Sequence, residues 1–101
     1  MIRHIVLFKL KPNITKQEVE GLTKGLNGLK ESIKQVRALT VEMDVGGTPS
    51  SCDLALDALF DNMADVKTYS ESPAHIEIVK MVERLCESRM KIDYQIKDAS
   101  L

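Results

Sequence analysis

The chain has 101 residues, with 14 Lys and Arg against 15 Asp and Glu, a formal charge of −1. That length suits one core and leaves no room for a second domain. No basic block and only four scattered aromatic residues exclude the charged, stacking surfaces that nucleic acid requires. No apolar run approaches the ~20 residues that span a bilayer, and the amino-terminal stretch is too short and too charge-broken for a signal peptide. A cytoplasmic protein is expected, touching neither nucleic acid nor membrane.

Ile2 to Leu10 predicts a strand with Ile2, His4, Val6, Phe8 and Leu10 on one side and Arg3, Ile5, Leu7 and Lys9 on the other. Ile5 and Leu7 make the second side partly apolar too, so it is expected to meet protein. Thr15-Lys-Gln-Glu18 has the form of a capping box and starts a helix, in which Val19, Leu22, Leu26, Leu29 and Ile33 form one narrow apolar stripe. Gly21, Gly25 and Gly28 flank that stripe. Each costs about 1 kcal/mol relative to alanine inside a helix, which predicts a weak helix ahead of a close backbone approach or a ligand space.

Val36 to Val45 alternates as a half-buried strand, and Gly46 to Ser51 supplies turn residues. Asp53 to Phe60 is a second apolar run of strand length, which predicts a hairpin. Asn62 and Asp65 start a short helix through Tyr69. Ser72-Pro73 then restarts the chain, with an N-cap and a proline at the first helical position. From Ala74 to about Glu87, Ile78, Val79, Met81, Val82, Leu85 and Cys86 share an arc with His75. Met90 to Ile96 closes the chain as a strand, with Met90, Ile92, Tyr94 and Ile96 opposite Arg89, Lys91, Asp93 and Gln95.

The order β, α, β, β, α, β predicts an α+β, ferredoxin-like domain over residues 1–97, with a tail at 98–101. Right-handed crossovers put both helical regions on one face of a four-stranded antiparallel sheet. The open face is expected to pair with a second copy, closing a dimeric α/β barrel.

Four stretches carry a resemblance to a known family: IRHIVLFKLK, DLAL with Phe60, YSESPAH from Tyr69 to His75, and KIDYQI. In that order and spacing, across nearly the whole chain, they resemble the stress-responsive A/B-barrel, or Dabb, family. The resemblance implies a homodimer whose two sheets form a barrel. That family includes plant stress proteins and a plant polyketide cyclase, and many members have no assigned reaction. By resemblance to the cyclase, His75 would be a general base, Tyr69 its hydroxyl partner and His4 a pocket residue. Ser72 stands where the cyclase has a histidine and its tunnel residues have no counterpart, so its substrate does not transfer.

His4 and His75 are the only histidines, and each falls on the side of its element expected to face the space between helices and sheet. Such a histidine removes a proton α to a carbonyl, and Tyr69 donates a hydrogen bond to the resulting enolate. The expected function is a homodimeric protein with a small apolar pocket near His4, Tyr69 and His75, its occupant apolar or enolisable. The alternatives are a cofactor-free cyclase or lyase using His75 and Tyr69, and a non-catalytic structural stress protein in which both histidines serve packing. Asp53 and Asp57 could join the histidines, but no spacing matches a ligand motif, and neither metal nor cofactor is expected. Cys52 and Cys86 belong to no cysteine pair or metal motif and are expected as free thiols.

Overall fold

The computed structural model describes residues 1–97, and the expected tail at 98–101 lies outside the described residues. The elements are β1 (Ile2–Leu10), α1 (Lys16–Asn27), α2 (Leu29–Ser32), β2 (Ala38–Met43), β3 (Leu54–Phe60), α3 (Met63–Glu71), α4 (Pro73–Leu85) and β4 (Cys86–Gln95). Every strand pairing is antiparallel, in the order β2-β3-β1-β4, which is the ferredoxin-like arrangement anticipated from the element order. Among the described residues no helix is long and apolar enough to cross a membrane.

Local chemistry sets most boundaries. The Thr15 hydroxyl accepts from the Glu18 amide while the Glu18 carboxylate accepts from the Thr15 amide, so two otherwise orphaned donors are satisfied. The long first helix breaks at Gly28, which caps α1 and opens the single turn of α2. Asn62 caps α3 by accepting from the Asp65 amide. The α3–α4 break falls at Ser72, which is extended and precedes Pro73 at the start of α4.

Two boundaries differ from the periodic reading. Cys86, on the expected helical arc, is the first residue of β4, so the helix ends at Leu85 and the strand runs four residues further back than Met90. The helical arc and the first inward position of the strand both want an apolar residue, and pattern alone cannot divide them. The second strand is also shorter than Val36 to Val45. Val45 is 99% exposed, and the chain turns through Gly47 at φ 63°, where the Asp44 carboxylate accepts from the Gly47 amide.

The core lies between the sheet and the helices. Ile2, His4 and Phe8 of β1, Leu39 and Val41 of β2, and Leu54, Leu56, Ala58 and Phe60 of β3 are buried against Leu22, Leu26, Leu29, Ile78, Val82 and Leu85. A Cβ built on Gly25 would meet Ile78 Cδ1 at 2.6 Å. At this position the glycine therefore serves close approach of α1 and α4, the reading that the sequence had placed behind a weak helix. Gly21, by contrast, faces open space.

Among the described residues the other sheet face carries no helix. The β1–β4 register pairs Ile5 with Ile92, Leu7 with Met90 and Arg3 with Tyr94, which places all six side chains on that side. Met90 is 74% exposed and Ile92 58%, a large apolar surface for so small a chain. Arg3 lies among them and donates two hydrogen bonds to Asp57, at 3.0 and 2.9 Å.

Candidate functional site

A cavity of about 310 Å³ lies between the helices and the β3-β1-β4 part of the sheet. Its walls are mostly apolar, among them Phe8, Leu26, Leu56, Ile78 and Val82, and His4, Tyr69 and His75 all reach it. It runs outward from buried Tyr69 to the exposed residues Ser70, Arg89 and Lys91. The three residues singled out in the sequence are therefore brought together.

Tyr69 is the hub. Its ring centroid lies 4.6 Å from His75, 5.7 Å from His4 and 4.9 Å from Phe60. The α3–α4 break at Ser72 produces the first of these contacts by bringing the opening turn of α4 back beside the last turn of α3. Tyr69 is only 2% exposed, and burial pushes its phenol up to about 12. The hydroxyl thus stays protonated at neutral pH, as a donor.

His75 is half-buried on the first turn of α4. Desolvation holds its pKa below the ordinary value near 6.5, and the positive charges of Arg89 and Lys91 push the same way against an opposing hydrogen bond to the Ser70 backbone. Neutral imidazole, the form able to accept a proton, is favoured.

His4 is 5% exposed, and its Nδ1 lies 2.6 Å from Asp93 Oδ1. An ionised carboxylate only accepts, so Nδ1 carries a hydrogen and Nε2 is left to act on a cavity occupant. Asp93 was not singled out from the sequence as a site residue. It reaches the site because β1 and β4 pair in the register that sets His4 opposite Asp93. The charged alternation of β4 was the available signal, but it does not say which set of side chains turns toward the helices.

Asp53 and Asp57 lie elsewhere. Asp53 accepts from the Leu10 amide and ties the end of β1 to the start of β3, while Asp57 is occupied by Arg3 on the open face. Cys86 is buried, which raises its thiol, and Cys52 is half-buried; neither lines this cavity.

Residues 2–96 match the family described as Stress responsive A/B Barrel Domain, or Dabb. The chain belongs to the Dabb family. An uncharacterised protein from Streptomyces coelicolor, SCO4036, is 31% identical over 77 residues, covering 74% of this chain and 79% of its own. A dimeric ferredoxin-like protein of unknown function from Bacteroides fragilis superposes with a TM-score of 0.83 at 29% identity, over 94% of this chain and 95% of that one. A hydroxynitrile lyase from Passiflora edulis has the same fold, with a TM-score of 0.86 at 20% identity over 97% and 94% of the two chains. This Dabb domain thus shares its architecture with proteins of different or unassigned activity, and function has to be argued from the site.

Proposed function

We propose that this Dabb protein is a homodimer whose cavity binds a small enolisable carbonyl compound and transfers its α-proton without a cofactor. The observation that carries the reading is the convergence of Tyr69, His75 and the Asp93-held His4 on one mostly apolar cavity. The neutral His75 imidazole takes the α-proton and becomes imidazolium. The Tyr69 hydroxyl donates to the enolate oxygen as charge develops there, and low-dielectric walls strengthen that bond. The His75 imidazolium then returns the proton to the enolate carbon, while His4, oriented by Asp93, presents Nε2 as an acceptor that positions the substrate. The volume is at the small end of ligand-sized cavities, which favours a compact substrate.

Aldol-type cyclisation begins from this step, and the Passiflora edulis enzyme supports the fold as a host for lyase chemistry. The homodimer is supported by the uncovered apolar sheet face and by the dimeric Bacteroides fragilis relative. Residues 1–97 form its single domain in this reading.

The test is deuterium exchange at the α-carbon of a β-diketone in heavy water, followed by proton NMR. Wild type should accelerate exchange over buffer, and His75→Ala should remove most of that, on the order of 100-fold for loss of a general base. If wild type gives no acceleration while Tyr69 and His75 variants merely lower thermal stability, the residues serve packing and the structural-protein alternative replaces this one.

A further inference from the structure

We propose that the cavity selects molecules that join an apolar body to a carboxylate, with Arg89 and Lys91 gripping the carboxylate at the mouth. This rests on the reading of the cavity as a ligand site and adds the substrate class.

The argument starts from the way β4 is laid on the sheet. The β1–β4 register sets Arg89 opposite Phe8 and Lys91 opposite Val6, on the helix side, while the apolar Met90, Ile92 and Tyr94 face away. Two cations are thus spaced about 7 Å apart along one strand face, over the open end of a mostly apolar chamber. Arg89 has no carboxylate partner among the described residues. The Lys91 ammonium lies 3.9 Å from Asp93 Oδ2, beyond hydrogen-bond reach, and the other Asp93 oxygen is committed to His4. Both basic residues therefore keep donors available for a ligand.

The chemistry favours a single carboxylate. A planar guanidinium matches a carboxylate with two parallel N–H···O bonds, and a neighbouring ammonium adds a point charge. Asp93 beside Lys91 penalises a dianion more than a monoanion, which disfavours phosphate. An apolar body fits inward toward Leu26, Leu56 and Val82, leaving the acid group at the exposed rim. The influence of both cations on His75 shows that charge at the rim is felt at the proposed base. A carboxylate bound there would neutralise it.

A competing account makes Arg89 and Lys91 charges that keep an edge strand from pairing with other chains. Affinities of the full-length protein for 3-phenylpropanoate, 3-phenylpropanamide, 3-phenylpropylamine and inorganic phosphate, measured by NMR titration at low and at physiological salt, separate the two. The acid should bind at least about fivefold more tightly than the amide, the amine weakest, and salt should narrow the gap. Arg89→Gln with Lys91→Gln should bring the acid down to the amide while lowering amide affinity far less than acid affinity. Equal affinity for acid and amide in wild type, or a preference that survives the double variant, overturns the proposal. Phosphate competing as well as the acid, or no binding by any probe, overturns it too. Carboxylate preference without α-proton exchange would instead leave this inference standing and remove only the catalytic reading, whereas exchange with no preference would do the reverse.

Discussion

His4 and Asp93 face each other across the β1–β4 ladder with 2.6 Å between Nδ1 and Oδ1, which ties a nearly buried imidazole to a carboxylate near the edge of the sheet. Asp93→Ala would leave Nδ1–H without its acceptor, a loss of about 1–3 kcal/mol that should lower Tm by roughly 5–15 °C in thermal unfolding. Asp93→Asn retains an acceptor and should recover most of that stability. Exchange activity should not recover with it, because an amide holds the histidine tautomer less firmly. Full activity in Asp93→Asn would confine the pair to a structural role.

The depressed His75 pKa gives stability a definite pH dependence. Between the ordinary value near 6.5 and the lower folded value, the unfolded chain binds a proton that the folded chain refuses. The His75 contribution is therefore complete above about pH 6.5 and is lost as pH falls through that window. Urea unfolding at a series of pH values, wild type against His75→Gln, should show the difference between the two changing only in that range. The same shift predicts an exchange rate that stays flat above pH 6.5 and falls only in acid.

Gly25 and Ile78 give a way to alter cavity volume from behind. The Cβ of Gly25→Ala meets the flexible end of Ile78 at 2.6 Å, and Ile78 also lines the cavity. The isoleucine should rotate away at a cost comparable to the ~1 kcal/mol of helix propensity that alanine gains, so Tm should move by only a few degrees. Ligand affinity should fall several-fold if the displaced methyl enters the chamber. A crystal structure of the variant showing Ile78 unmoved would contradict this account.

The uncovered sheet face predicts what a single charge would do to assembly. Ile5→Glu or Ile92→Glu puts an unpaired carboxylate into the face on which a second copy is proposed to sit, at a cost of several kcal/mol. Light scattering should report half the wild-type mass for both variants with little change in far-UV circular dichroism. A wild-type monomer at micromolar concentration would count against the homodimer.

Tyr69→Phe separates packing from hydrogen bonding at the hub. The ring contacts to His4, Phe60 and His75 remain. Stability should change by less than about 1 kcal/mol, while exchange slows by on the order of 10–100-fold as the enolate loses its donor. Equal losses in both would identify Tyr69 as a core residue alone.

The order of elements was legible because each carried local chemistry: the Thr15–Glu18 capping box, the Ser72-Pro73 break, the alternation of β1, and Ile5 and Leu7 as apolar residues on a second face. His4 and His75 could be placed on the inward side by period alone, and the resemblance carried by the YSESPAH stretch added Tyr69. Three things required the tertiary structure. Strand register decided that Asp93 meets His4, because a period of two leaves pairing free to slide. The lie of β4 decided that its charged set, with Arg89 and Lys91, turns toward the cavity while its apolar set faces away, since alternation names two faces without saying which is inside. The approach of α1 to α4 decided what Gly25 does, because a missing side chain shows its purpose only when the neighbour that needs the space, Ile78, is in place.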